Sequence, residues 1–306
     1  MADEVTSPRG SGPSAGDGLF AAFGERVDRQ PAADGARPSL AGCRGLLEEL
    51  ARSATVAEAV HRLLRRAVEA GPRHRVAGFD GGSFVLARGS GWSLTLRATA
   101  PSLPENLLVT SAADYMLAVP SGARDGGSME CFDRPAGTRP DLLDPAARLT
   151  PRGRHPLRPG QVFTLSADSQ VARLTPGDTG LVHLVLAAHP HLSYRFAYDR
   201  ATLGPVRMIS TDGTASRLTY TVRLLAACRR PSSLPVLRSL AGHPSHEVRW
   251  EAIRAVHRID PAAGRELLHD ATHDPHPEVR QAALQALLPK SQTAVQAPLP
   301  KSQAPA

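Results

Sequence analysis

His243-Pro244-Ser245-His246-Glu247-Val248-Arg249-Trp250-Glu251-Ala252-Ile253 returns, 31 residues on (249 to 280), as Asp274-Pro275-His276-Pro277-Glu278-Val279-Arg280-Gln281-Ala282-Ala283-Leu284. Each copy opens on a proline-containing turn, continues with Glu-Val-Arg and closes on alanine and a branched aliphatic. Recurrence in register at such a period marks a helical-hairpin repeat, a unit that buries its apolar face only against a neighbour. Between the copies, Asp260-Pro261 reads as an N-cap followed by proline at the first helical position, where no amide hydrogen is needed. The repeats are placed at 231–290.

At 100° per residue, Val248 and Ala252 in the first copy fall on the core side, as do Val279 and Ala283 in the second. Trp250, Arg254 and His257 then share the opposite side, and an aromatic flanked by cations predicts a partner-binding ridge. Two repeats are fewer than a stable stack usually needs, so the competing reading packs this ridge against the strand-rich region. Val248-Arg249 with Ala252, and Val279-Arg280 with Ala283, resemble the short HEAT-like repeats of bilin-lyase-type helical proteins. The resemblance covers the C-terminal part only. It implies antiparallel helix pairs in which Arg249 and Arg280 tie neighbouring repeats through acidic partners. It also implies a binding role without specifying a chemistry.

Upstream the rhythm changes. Over 73–230, Trp92, Leu94 and Leu96 alternate with polar residues, as do Tyr194, Phe196 and Tyr198 around Arg195 and Ala197. Pro159-Gly160, Pro176-Gly177-Asp178 and Asp212-Gly213 punctuate the runs, so short antiparallel strands in a sandwich or barrel are expected. Leu181 to Ala188 is nearly continuous and apolar, as a central strand requires. Residues 40–72 read as a helical pair, with Leu46, Leu47 and Leu50 on one face and a capping-box spacing at Thr55–Glu58. Residues 1–39 have the composition of a disordered arm and 291–306 of a low-complexity tail. The fold class is therefore α+β: a β-sandwich or barrel, an N-terminal helical pair and a C-terminal two-repeat helical segment.

Of 36 basic residues in 306, only Lys290 and Lys301 are lysines. The arginines are scattered among acids, and aromatics supply only 4% of the chain, so stacking platforms for nucleic acid are scarce and none is expected as a partner. Three widely spaced cysteines fit a reducing, cytoplasmic setting, and no apolar run is long enough to span a membrane. No phosphate-binding loop or nucleophile motif is present. Asp178-Thr179-Gly180 matches an aspartic-protease triplet but follows Pro-Gly and reads as a turn. His246-Glu247 begins like a zincin motif, yet position 250 is tryptophan where the second histidine belongs. His189-Pro190-His191, with His155 and His183, forms the one candidate metal set, for a cupin-like metal-dependent barrel enzyme. The leading expectation is a protein-binding adaptor that needs no cofactor, with a divalent metal only in the alternative.

Overall fold

The computed structural model describes residues 20–30, 40–69, 79–80, 82–101, 106–122 and 127–288; the tail at 291–306 and most of the N-terminal arm lie outside them. The chain divides into two compact units, one of residues 1–140, 144–192 and 197–205, the other of 141–143, 193–196 and 206–306.

The first unit opens on helices α1 (Ala21–Asp28), α2 (Arg44–Arg52) and α3 (Thr55–Glu69). Strands β1 (Phe79–Asp80), β2 (Ser83–Arg88), β3 (Trp92–Thr99), β4 (Leu107–Val109), β5 (Tyr115–Ala118) and β6 (Gly127–Asp133) follow. Then come β7 (Thr150–Pro156), β8 (Val162–Leu165), β9 (Gln170–Pro176), β10 (Leu181–Ala188) and β11 (Tyr194–Asp199), of which residues 197–199 belong to this unit. One six-stranded sheet runs β1-β2-β3-β10-β5-β8 and a second runs β7-β6-β9, while β4 pairs with residues 197–199 of β11. Strand β10 is hydrogen-bonded antiparallel to β3 on one side and β5 on the other, and its sequence is apolar on both faces because both faces of the sheet are covered.

Each face of the large sheet has its own cover. Trp92, Leu94, Leu96, Leu184 and Leu186 pack with Phe23, Val27, Leu47 and Leu50 of the helices. On the reverse face, Leu117, Leu165 and Leu181 meet Met129 and Cys131 of β6. The result is an antiparallel sandwich with helices on one outer face, the expected class. The Gly177 carbonyl accepts from the Gly180 amide at 3.0 Å, and Gly180 has φ +88°, so Asp178-Thr179-Gly180 is the tight turn joining β9 to β10.

Two local expectations are corrected. Helix α1 lies inside the stretch assigned to a disordered arm. Phe20, Phe23 and Val27 recur at i, i+3 and i+7 and are buried, while the Trp92 indole donates to Asp28 Oδ1 at 2.7 Å. Low average hydrophobicity concealed this narrow apolar stripe. The capping box at Thr55 does not form. Ser53 Oγ accepts from the Thr55 amide and the Ala54 carbonyl from the Glu58 amide, so Thr55 is already the first helical residue. Farther along α3, Leu64 and Val68 are exposed.

The second unit holds β12 (Pro205–Ser210) and helices α4 (Gly213–Cys228), α5 (Leu234–Leu240), α6 (His246–Ile259), α7 (Pro261–Ala271) and α8 (Pro277–Leu287). Asp212 caps α4 through the Thr214 amide, and Asp260 caps α7 through the amides of Ala262 and Ala263. Helix α6 packs against α4, α5 and α7, and α7 packs against α8. The α6–α7 approach is close enough that a Cβ on Gly264 would stand 2.2 Å from His257 Cα, so only glycine fits there. No helix among the described residues is long and apolar enough to cross a membrane.

Candidate functional site

The predicted ridge of Trp250, Arg254 and His257 is not a free surface. Trp250 is 1% exposed and packs with Ile253, Leu268, Ala271, Val279 and Ala283. Arg254 is mostly buried and pairs with Glu251 at 2.9 Å, and His257 is half-buried at the Gly264 crossing. Helical periodicity places these three on one side correctly but assumes that one side is dry. Helix α6 instead has neighbours on two sides: Val256 and Ala255 face Val222, Ala226 and Leu237, while Trp250 and Ile253 face α7 and α8. A helix central to a stack is buried nearly all round.

Val248, Ala252, Val279 and Ala283 are each 0% exposed. Arg249 and Arg280 do the same local work: one guanidinium nitrogen of each donates to the carbonyls five and six residues back, Pro244 and His243 for the first, Pro275 and Asp274 for the second. Arg249 also grips both carboxylate oxygens of Asp274 in the neighbouring repeat, at 2.8 and 2.6 Å. Burial alone would push the Asp274 carboxyl up; the Arg249 hydrogen bonds and the His276 amide outweigh it and hold the group below the usual carboxylate range.

The four histidines of the metal alternative do not gather. His155 lies on the fully exposed edge strand β7, and His189 is exposed after β10. His191 stands with Asp114 and Asp168, their ligand atoms within 4.8 Å of one another. His183 is 2% exposed and shares a face of β10 with Leu181, pointing into the sandwich. Proline between His189 and His191 ends the strand, which separates them from His183. Burial, and then the Arg97 charge on the paired strand, push the His183 imidazole down to about 4. A histidine depressed in the fold binds its proton more readily when unfolded, so the stability it gives is intact above about pH 6.5 and is lost as pH falls toward 4. The loss should reach about 3 kcal/mol. Urea denaturation of wild type and His183→Leu at pH 7 and pH 4 checks this. The wild type should lose that much more than the variant, and equal losses would contradict the burial argument.

A cluster that sequence reading missed sits at the starts of α6 and α8. The imidazoles of His246 and His276, 5% and 4% exposed, stack with centroids 3.7 Å apart and planes 1° from parallel. The His246 Nε2 lies 3.9 Å from a Glu278 carboxylate oxygen, and its Nδ1 lies 3.4 Å from the Tyr194 hydroxyl. The His276 Nε2 faces the Asp141 carbonyl at 3.1 Å and its carboxylate at 3.6 Å. Burial, then His276 and Arg249, push His246 down to about 4, while burial, Glu247 and Asp141 push the Glu278 carboxyl up. The zincin-like His246-Glu247 was a partial signal. The histidine that stands beside His246 is not on the same helix face but comes from the next repeat.

Exposed large apolar side chains in this unit include Val206, Val236, Leu284 and Leu288, and two that neighbour each other on α4, Tyr220 and Leu224. Arg217, Tyr220, Leu224 and Cys228 follow helical spacing along one outer face, with Tyr220 60% and Leu224 65% exposed. The opposite face, Ala215, Val222 and Ala226, is buried. Arg223 covers the Tyr220 ring at 5.9 Å, and α4 contains no acidic residue. In the first unit, a groove of about 520 Å³ is lined by Arg44, Glu48, Arg52 and Arg158, and Glu48 pairs with Arg44 and Arg52.

Residues 217–288 match the family model for HEAT repeats. The match begins within α4, so the HEAT-like region includes α4 as well as the two hairpins. No curated protein sequence matches the chain. Solved structures that match part of the chain include a hydroquinone 1,2-dioxygenase with Cd2+ and 4-hydroxybenzonitrile (18% identity, 35% of this chain, 64% of that one, TM-score 0.25). A cupin-superfamily sugar phosphate isomerase from Silicibacter pomeroyi gives 16% identity over 41% of this chain and 64% of its own, with TM-score 0.24. Vicilin from hazelnut, Corylus avellana, gives 17% identity over 35% and 26%, with TM-score 0.23. The chain thus spans less than two thirds of each of these proteins.

Proposed function

We propose that this chain is a cytoplasmic protein-binding adaptor whose HEAT-like unit, with hairpins of the short bilin-lyase type, receives a partner on the outer face of α4. The observation that carries this reading is the Tyr220–Leu224 pair, large, apolar and solvent-facing on a helix whose other face is sealed into the stack. Of its charged neighbours, Arg223 is already paired with Glu251 of α6 at 3.0 Å, and Arg217 lies on the exposed face of a helix that itself carries no acid. The occupant they favour is an amphipathic helix of another protein with an apolar stripe between acidic flanks. Leu224 gives a nucleic acid nothing to read, so a protein fits better. The metal-dependent enzyme alternative has no gathered set of His155, His183, His189 and His191 behind it among the described residues.

The combined variant Tyr220→Ala, Leu224→Glu tests the reading. Both side chains are exposed, so thermal stability should stay within about 0.5 kcal/mol of wild type. A protein co-isolated with the wild-type chain from its own cells should be lost with the variant. Retention of that protein by a folded variant would move recognition elsewhere.

A further inference from the structure

We propose that His246, His276 and Glu278 form a binding site for a divalent transition cation of the zinc class, joining the starts of the two repeat helices α6 and α8. One ligand atom from each residue lies within 4.8 Å of the other two, and all three side chains are largely withdrawn from solvent. Two imidazole nitrogens and one carboxylate oxygen suit zinc, cobalt or nickel. Magnesium and calcium demand oxygen ligands and are disfavoured. The surroundings supply what metal-binding histidines ordinarily require. The Tyr194 hydroxyl stands at the far nitrogen of His246, and Asp141 stands beside His276 as a hydrogen-bond acceptor or a fourth ligand.

The parallel stack sets a condition on binding. Lone pairs lie in the ring planes, so two parallel imidazoles cannot aim at one ion, and one ring must turn out of the stack. Ligand atoms must also close to about 3.3 Å for a tetrahedron with bonds of about 2.0–2.1 Å. The helix N-termini weakly oppose a cation. The acids that face the imidazoles, Glu278 and Asp141 directly with Glu247 nearby, favour one, whereas Arg249, whose charge Asp274 partly balances, opposes it.

Titration of untagged full-length protein with Zn2+ and Co2+ tests the site. One equivalent of Co2+ should bind with the visible absorption of a tetrahedral nitrogen–oxygen site, and Glu278→Gln and His246→Gln should each weaken Zn2+ binding about 100-fold or more. Asp168→Asn with His191→Gln, at the other three-residue group, should leave it unchanged. Should the first variants fail to fold, X-ray absorption of zinc-loaded wild type decides, with two imidazoles expected. Wild-type binding with no imidazole ligand, binding lost through Asp168 and His191, or no stoichiometric binding would each overturn the proposal.

Discussion

Replacing Trp250 with alanine should destabilise the HEAT-like unit by about 3–5 kcal/mol, the range for removing a buried aromatic from a packed core. The indole fills the space between α6, α7 and α8, where small residues, Ala271 and Ala283, leave room for it. Small neighbours cannot collapse into the void, so the cost should fall at the upper end. Urea denaturation, with hydrogen exchange read in α7 and α8, checks it. Protection in both helices should fall together, because the same cluster holds them. A loss below about 1 kcal/mol would mean that the indole is a surface group and that the partner-binding ridge exists after all.

Arg249→Ala should cost a similar amount, about 3–5 kcal/mol, for a different reason. The Asp274 side chain is 7% exposed, and removing its bidentate partner leaves a buried carboxylate without compensation. Arg280→Ala provides the internal control. Its guanidinium caps two carbonyls in the same way but is not paired with a buried acid among the described residues, so about 1–2 kcal/mol is expected. In a double-mutant cycle, Asp274→Ala should add little once Arg249 is gone. Similar costs for Arg249→Ala and Arg280→Ala would show that the inter-repeat ion pair contributes nothing beyond the loop hydrogen bonds.

The repeats were legible because their determinants are local. Pro-turn, Glu-Val-Arg and alanine at fixed spacing each act within one hairpin, and Asp260-Pro261 caps α7 through its own next residues. Strand alternation in Trp92–Leu96 and the apolar run of β10 were legible for the same reason. What sequence could not give is the number of neighbours each element acquires. Trp250 looked outward because one helix seen alone has one dry face, while α6 has two. His246 and His276 come together only when successive repeats stack, and Tyr194 and Asp141 join them from far away in the chain. The four histidines grouped by sequence proximity and type are dispersed by strand direction, with His183 facing inward and His155 on an exposed edge.

The most direct test uses a handle the chain already carries. Cys228 is the only exposed cysteine of three, and it lies on the Tyr220–Leu224 face; Cys43 and Cys131 are buried, and burial pushes both thiols up and slows their alkylation. A thiol-reactive photocrosslinker placed on Cys228, irradiated in extract from the source cells and mapped by mass spectrometry, should join α4 to an acidic amphipathic helix of another protein. The Leu224→Glu variant should abolish that product. Crosslinks confined to this chain or to nucleic acid, or a partner product indifferent to Leu224→Glu, would contradict recognition through this face.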